Sequence, residues 1–244
     1  MKAITIFLLA CAVVAQAQTP IQHTQPVEPG QKIVMHFDYP ELIRVTTWDQ
    51  PVVSVEGTVS INGGDQDDAF KLKVNSSPTA INISGTIPDL KKLPHRITIN
   101  RDGQKVTFKT QADYRSYANQ YGTAFTSMRE GVETDIILTI KVPKNVATRI
   151  EARYGLVEVR DFDGPLVVDA IYGGIDVALV ESTTGKLVAE TNYGQIYSNL
   201  NLKLDKENLK EENFHTVIAA NLGTGPAYNL ESKFGNVYLR KQVK

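Results

Sequence analysis

Four acidic residues occupy the same position in a repeated phrase of the sequence, and their type and spacing are the most suited to chemistry. Each lies four residues before a glycine, and the four are Glu151, Asp169, Glu190 and Glu231. If the repeats stack as coils of β-structure, these carboxylates form one outward-facing acidic column at the inter-strand spacing of roughly 4.8 Å. Like charges at that distance repel by roughly 1 kcal/mol per pair in water-like surroundings. A calcium ion, which takes oxygen ligands, would relieve this repulsion.

The acidic column has two other interpretations. Paired carboxylates also serve carbohydrate-active enzymes such as glycoside hydrolases and polysaccharide lyases, although no cluster of lysine, arginine or histidine accompanies them here. The simplest interpretation is a solvated face on which Arg153 and Lys233 are diagonal partners, in pairs worth roughly 0–1 kcal/mol each. No turn in the sequence resembles a dedicated calcium loop, so the solvated face is favoured. We therefore expect no catalytic residues and no cofactor, with calcium as the one candidate to test.

Tyrosines supply the candidate binding residues. Tyr114, Tyr117 and Tyr121 lie in a stretch with little aliphatic content, at a spacing that would place them on one side of a helical turn. Tyr197 and Tyr238 each lie three residues after a repeat glycine, at an outward position of the predicted strand. Outward tyrosines anchor protein partners or stack on sugars, although on strands they are also good β-formers. We predict that these five tyrosines bind an envelope protein or a surface glycan.

These candidates depend on a repeat in the second half of the chain. Its glycines are 18, 21 and 41 residues apart, the last distance being about two repeats, and they are Gly155, Gly173, Gly194 and Gly235. Apolar or small residues stand five, three and one residues before each glycine and two after it, with mostly polar residues between them. This period of two predicts strands with one buried face, joined at a corner that the glycine occupies. Repeats of this length indicate stacked units that bury their apolar faces against their neighbours.

The sequence therefore predicts an all-β chain ending in a short parallel β-helix, a single-stranded solenoid. The solenoid is predicted for residues 146–244, with a charged insertion at 203–213 and with Ile218–Gly223 as either a degenerate repeat or an ordinary strand. Residues 32–145 are predicted to form a β-rich part with antiparallel hairpins, which caps the open end of the solenoid. The Tyr-rich insertion at 111–131 interrupts this part. Residues 18–31 hold three prolines and are interpreted as a flexible leader.

Residues 1–17 have the features of a secretory signal peptide. Lys2 precedes an apolar run that is followed by a small-x-small cleavage site before Gln18. An alternative is a lipoprotein box ending at Cys11, although the apolar run continues beyond that residue. Cys11 is the only cysteine, so the exported chain would have no disulfide, no thiol catalysis and no cysteine-based metal site. The net charge of −1 gives no basic footprint for nucleic acid. We expect a periplasmic or surface protein without a transmembrane segment in the mature chain.

Three segments together resemble a known family. They are the tandem Tyr-Gly and Phe-Gly phrases, the segment Arg44–Asp49 and the ending Ser232–Leu239. From about Ile33 onward the chain is similar to exported bacterial β-solenoid domains known as "putative adhesins", a cell-envelope domain of unknown function. The resemblance implies a parallel β-helix and an envelope location, and it carries no catalytic residues. We predict a non-enzymatic binding or scaffold domain; the alternatives are a carbohydrate-active β-helix enzyme and a protein-binding partner in envelope sensing.

Overall fold

The computed structural model describes residues 18–202 and 209–242, which form twenty strands, one α-helix and three short 3-10 turns. The helix is α1 (Gln111–Tyr121), and the 3-10 turns are Asp67–Ala69, Leu90–Lys92 and Glu181–Thr183. The strands are β1 (Thr19–Pro26), β2 (Lys32–Phe37), β3 (Leu42–Trp48), β4 (Val52–Ile61), β5 (Lys71–Ser76), β6 (Ala80–Thr86), β7 (Arg96–Arg101), β8 (Gln104–Phe108), β9 (Ser127–Gly131), β10 (Thr134–Pro143), β11 (Thr148–Ala152), β12 (Leu156–Val159), β13 (Leu166–Ala170), β14 (Ile175–Leu179), β15 (Lys186–Thr191), β16 (Ile196–Ser198), β17 (Leu209–Glu212), β18 (His215–Asn221), β19 (Tyr228–Ser232) and β20 (Val237–Lys241).

Two large sheets hold most of the strands and share one core. The eight-stranded sheet has the order β1-β4-β10-β3-β12-β14-β20-β16, and the nine-stranded sheet has the order β17-β18-β15-β19-β13-β11-β2-β6-β5. A third, antiparallel sheet has the order β8-β7-β9. The core takes alternate apolar side chains from both large sheets, such as Ile150 and Val168 from one and Val157 and Ile175 from the other. The predicted β-rich character is confirmed, and the period of two has the expected physical cause, since one face of each strand is buried.

The prediction of a single-stranded parallel β-helix is wrong. Each repeat does form an arch, meaning two strands joined at a corner, one in each large sheet. However, the fourth arch, β19–β20, lies between the second and the third, because β19 pairs with both β13 and β15 and β20 pairs with both β14 and β16. Antiparallel strands such as β1, β4 and β18 then extend the sheets, so the coil does not close. The period of the sequence specifies a strand with one buried face, and mixed sheets satisfy that requirement as well as a coil does.

A fifth arch comes from the first half of the chain, which was predicted only to cap the solenoid. Strands β2 and β3 lie parallel to β11 and β12, so that Phe37 is opposite Ala152 and Ile43 is opposite Val157. Beyond this arch, β10, β4 and β1 continue the eight-stranded sheet, and the antiparallel hairpin β5–β6 continues the nine-stranded sheet. Apart from residues 96–131, which form the third sheet and α1, the first half therefore belongs to the same two-sheet body.

Other sequence-based boundaries differ from the structure. Residues 18–31, interpreted as a flexible leader, contain β1, which pairs with β4 from Thr19 to Pro26. Residues 111–131 form α1 and β9. The degenerate repeat at 218–223 falls partly in β18, which is antiparallel to β15 and is therefore an ordinary strand. The signal peptide at 1–17 and positions 203–208 of the charged insertion lie outside the described residues. In the part of the chain that the structure describes, no helix is long and apolar enough to cross a membrane.

Candidate functional site

The corner glycines fix how closely the arches stack. A Cβ placed on Gly173 would lie 1.6 Å from the carbonyl oxygen of Gly155, and one on Gly235 would lie 2.1 Å from that of Gly173. A Cβ on Gly194 would lie 2.0 Å from the carbonyl oxygen of Gly235. Of these four glycines only Gly155 has a positive φ, at 77°. Close approach of neighbouring backbones is therefore the common reason for glycine at the corner.

The residue before each corner glycine is aromatic, and these rings stack into a continuous row that we call the aromatic ladder. The row also includes the equivalent ring of the β2–β3 arch and a ring from the turn between β17 and β18. In spatial order its members are Tyr39, Tyr154, Tyr172, Phe234, Tyr193 and Phe214. Successive ring centroids are 6.0, 5.3, 5.2, 5.1 and 5.7 Å apart, and all five pairs are stacked, with interplanar angles of 10° to 25°.

The ladder lies on the surface. The alternation of the sequence had predicted that the aromatic residues before the repeat glycines would lie on the buried face of the strands. Their exposed fractions range from 42% for Tyr154 and Phe234 to 60% for Tyr193, and Phe214 is 72% exposed. The prediction failed because the chain bends at the corner and the period of two ends with the strand. The recurrence of an aromatic residue before every repeat glycine is the sequence signal that could have identified the ladder.

The stacking decides which part of each ring a partner can contact. Tyr172, Phe234 and Tyr193 have both ring faces covered by neighbours at 5.1–5.7 Å, so their exposed surface consists mainly of ring edges. A sugar ring stacks on an open aromatic face, which the interior of the ladder does not present. A protein surface, by contrast, can pack against ring edges and bond to the hydroxyls.

The acidic column lies beside the ladder, on the outer face of the nine-stranded sheet. Its members are adjacent in the spatial order of the arches: Glu151 is opposite Asp169, Asp169 is opposite Glu231, and Glu231 is opposite Glu190. The column that the sequence predicted is therefore present, with Glu231 rather than Glu190 next to Asp169. Histidines contact its two ends: His36 Nδ1 lies 3.4 Å from Glu151 Oε2, and His215 Nε2 lies 2.7 Å from Glu190 Oε1.

Arg149 neutralises one half of the column. Its Nε donates to Glu151 Oε1 at 2.8 Å, and this bond holds the pKa of Glu151 below its usual value. Its Nη2 lies 2.6 Å from Asp169 Oδ2 as an ion pair, but outside hydrogen-bond geometry, so that oxygen is buried without a donor among the described residues. Burial raises the pKa of Asp169 by more than the charge of Arg149 lowers it, and Glu151 adds a smaller upward contribution. Burial, followed by the charges of neighbouring carboxylates, also raises the pKa of Glu231.

The geometry does not assemble the column into a ready metal site. Within residues 18–202 and 209–242, no group of three or more histidine, cysteine, aspartate or glutamate side chains is arranged to hold a metal ion. The carboxylates follow one another along a row, and a row offers fewer ligands to one ion than a cage does. Calcium binding by Glu151, Asp169, Glu190 and Glu231 stays a prediction.

The three tyrosines of the 111–131 segment lie on α1, away from the ladder. The helix begins at a capping box in which the Thr110 side chain accepts from the Asp113 backbone N–H and the Asp113 carboxylate accepts from the Thr110 backbone N–H. Rings of Tyr114 and Tyr117 pack on Phe108 at 5.7 and 5.1 Å, and Tyr121 lies 4.8 Å from Tyr117. Tyr114 and Tyr117 therefore attach the helix to the small core of the three-stranded sheet, which gives them a structural role. Their predicted binding role stays a prediction.

Tyr197 and Tyr238 lie on the outer face of the other large sheet. Their rings stack at 5.1 Å with an interplanar angle of 11°, and the Arg240 guanidinium lies 5.5 Å from the Tyr238 centroid. Next in the row is Asp176, which Arg240 and Arg160 pair at 2.7 and 2.9 Å. Both tyrosines point outward as the sequence predicted. They form a separate pair and are not part of the ladder.

Comparison with known proteins gives few relatives. No protein-family model and no curated protein matches the chain. A "putative cell adhesion protein" from Clostridium sporogenes is 11% identical, with a TM-score of 0.42, over 92% of this chain and 100% of that one. A "putative adhesin" from Bacteroides fragilis is 10% identical, with a TM-score of 0.22, over 93% of this chain and 99% of that one. These names agree with the resemblance described above, but the similarity is too low to establish a family or to support an argument.

Proposed function

We propose that the chain is an exported, non-enzymatic binding domain of the cell envelope, of adhesin type, and that it contacts a protein partner through the aromatic ladder. The observation that supports this proposal is the ladder itself: exposed rings gathered in one continuous row, with interior ring faces that are already occupied. Aromatic residues, tyrosine in particular, are enriched in the central, energetically dominant part of protein interfaces.

The rigidity of the ladder favours binding. Tyrosine offers a large contact area with few rotatable bonds, so fixing it in a complex costs little conformational entropy. The stacked rings are also held before any partner arrives, by neighbours on both sides and by corners that tolerate no side chain at Gly173, Gly194 or Gly235. A preformed surface saves the cost of ordering flexible groups on binding.

The acidic column supplies a charged border to the ladder. The two meet at Phe214 and His215, which are consecutive in the chain: Phe214 stacks on Tyr193, and His215 contacts Glu190. At the same end, Lys233 Nζ lies 5.7 Å from the Phe234 centroid. Border charges of this kind set the orientation and the association rate of a partner more than its affinity. The partner is therefore expected to carry basic groups opposite Glu231 and Glu190, and its association should slow as salt is added.

A bead-binding experiment tests the proposal. Beads coated with residues 18–244 are mixed with isolated bacterial envelopes, either untreated, digested with protease or oxidised with periodate. We expect binding to untreated and periodate-treated envelopes and its loss after protease, because the proposed partner is a protein. Binding that survives protease but not periodate would contradict a protein partner and favour a glycan.

Matched variants connect that binding to the ladder. Phe214→Ser removes the terminal ring, which has a single stacking neighbour, so the fold should be retained. We expect this variant to weaken binding and Phe234→Ser to weaken it further. The control is Met128→Ser, which removes an exposed apolar side chain from β9 of the three-stranded sheet. Unchanged binding by both ladder variants would refute the ladder as the contact surface.

A further inference from the structure

A cleft of about 420 Å³ lies at the corners opposite the ladder, where strands of the eight-stranded sheet return to the nine-stranded sheet. We call it the Trp48 cleft. Its lining includes Trp48 at the end of β3, Asp49 directly after it, Asp161–Asp163 after β12, and Gln242 after β20. Small-molecule sites in proteins have volumes of roughly 300–1,000 Å³, so this cleft can hold a single sugar residue.

The two aromatic residues that line the cleft are fixed by their own contacts. The indole Nε1 of Trp48 donates to the carbonyl oxygen of Val52 at 2.8 Å. The hydroxyl of Tyr228 donates to the carbonyl oxygen of Phe162 at 2.7 Å, and the rings of these two residues pack edge to face at 6.2 Å. Neither aromatic residue has to be ordered when a ligand enters, which lowers the cost of binding.

The loop that carries Asp161 and Asp163 is also held in place. The carbonyl oxygen of Asp161 accepts from the Thr47 hydroxyl at 2.7 Å, and that of Asp163 accepts from the Asn145 backbone N–H at 2.8 Å. Gln242 donates its side-chain amide to the Asp161 carboxylate. These bonds fix the backbone of the loop, and the Gln242 bond also fixes the Asp161 carboxylate, before any ligand enters.

The charges of the cleft disfavour an acidic ligand, and its carboxylate oxygens are acceptors that suit a ligand rich in hydroxyls. Asp49 is paired with Lys144 Nζ at 2.7 Å. The charge of Asp163 contributes to the raised pKa of Lys144, after the larger effect of Asp49, but no ion pair or side-chain hydrogen bond among the described residues occupies the Asp163 carboxylate. A carboxylate accepts hydrogen bonds from two neighbouring hydroxyls, and these charge-assisted bonds are stronger than neutral ones. An acidic sugar would be repelled by Asp161 and Asp163.

We propose that the Trp48 cleft binds one uncharged pyranose residue of a glycan. Its C–H face would pack on the aromatic lining, and its hydroxyls would donate to Asp163 and Asp161. This site differs from the protein-binding ladder in position and in ligand. The titration with isolated sugars tests the cleft alone, whereas the ladder is tested by the loss of envelope binding in Phe214→Ser and Phe234→Ser, so failure of one proposal can be told from failure of the other.

Trp48 is the only tryptophan of the chain, so its fluorescence reports on this cleft alone. We would titrate residues 18–244 with the methyl glycosides of glucose, galactose and mannose and with N-acetylglucosamine. Glucuronic acid and sialic acid serve as the anionic comparison. We expect a saturable change in emission with at least one uncharged sugar and none with the acids. No saturable change with any uncharged sugar, or an equal change with the acids, would overturn the proposal.

Variants then locate the contact. Replacing the free carboxylate in Asp163→Asn should weaken binding of the active sugar roughly 10- to 100-fold, the loss expected for one hydrogen bond to a charged group. The control Asp102→Asn changes an exposed aspartate in a distant turn and should leave the titration unchanged. Should Asp163→Asn fail to fold, Asp49→Asn tests the acidic character of the cleft from an exposed position. Phe214→Ser should bind the sugar as the unaltered chain does, and sugar binding unaffected by Asp163→Asn would refute the assignment.

Discussion

The order of rings in the ladder gives a sharp test of the strand order. Phe234 lies between Tyr172 and Tyr193, at 5.2 and 5.1 Å, so about 10 Å separates Tyr172 from Tyr193. In a serially wound coil, the two tyrosines would be neighbours because they belong to consecutive repeats. Alanine substitutions at these three positions, singly and in pairs, therefore distinguish the two arrangements.

The magnitudes follow from the stacking contacts. An aromatic pair contributes about 0.5–1.5 kcal/mol beyond the area that it buries. Phe234→Ala removes two such contacts and should cost roughly 1–3 kcal/mol, or a fall in melting temperature of about 2–4 °C per kcal/mol for a chain of this size. The interaction energy of the Tyr172/Phe234 pair should be about 0.5–1.5 kcal/mol. That of the Tyr172/Tyr193 pair should be smaller, because these two rings do not touch and can be coupled only through Phe234, which both contact.

Urea unfolding of the single and double variants provides the measurement, with circular dichroism as the signal. Phe214→Ala is the internal reference, because it loses one stacking contact and should cost less than Phe234→Ala. The reasoning would be refuted by a clear interaction energy between Tyr172 and Tyr193 together with none between Tyr172 and Phe234.

Two further predictions concern the corners and the acidic column. Gly173→Ala should destabilise the fold strongly in a thermal melt, because its Cβ would lie 1.6 Å from a neighbouring carbonyl oxygen. The control Gly131→Ala, whose Cβ would have no heavy atom within 4 Å, should change the melting temperature little. Equal effects of the two variants would contradict the argument that neighbouring backbones approach closely at the corner. Burial and the neighbouring carboxylates raise the pKa of Glu231, so the charge of Glu231 destabilises the fold at neutral pH. Glu231→Gln should therefore raise the melting temperature at neutral pH. This gain should shrink as the pH falls through the pKa of Glu231 and the native carboxyl becomes protonated. Glu151 has a lowered pKa, so its charge stabilises the fold and Glu151→Gln should lower the melting temperature at neutral pH. This loss should shrink as the pH falls through the pKa of Glu151. A change of the same sign in Glu231→Gln and Glu151→Gln would contradict the opposite pKa shifts of these two residues.

The sequence predicted the strands of the repeats well and their order badly. Alternation around Gly155 and Gly173 reflects burial of one strand face, which is a local property, so it can be read from neighbouring residues. The insertion of β19–β20 between two earlier arches depends on which edges meet across the whole chain. The matching phrases at Tyr193 and Phe234 do not encode it, because they are equivalent and either would fit beside Tyr172.

The candidate site was predicted in part. The acidic column followed from a period that repeats at every arch, and its members do align. The ladder was missed because a strand rule was applied to Tyr154 and its equivalents, which lie past the end of the strand at a corner. Phe214 and Tyr39 carry no Tyr-Gly or Phe-Gly phrase, so only the fold brings their rings to the two ends of the row. The Trp48 cleft, assembled from turns far apart in the chain, had no local signal at all.

The interleaved arches also have a consequence for the timing of folding. Residues 228–241 form interior strands of both large sheets, yet they follow in the chain the arch β15–β16 that pairs with them. A chain emerging from its N-terminus can stack its first three arches in order, but β15–β16 reaches its native neighbours only after the following forty or so residues have arrived. Until then the edges of β13 and β14 remain open to wrong partners, including the strand that follows directly in the chain. When the chain emerges slowly from its N-terminus, wrong pairing at β13 and β14 therefore competes with the later arrival of β19 and β20. A coil wound in the order of the chain would not have this competition.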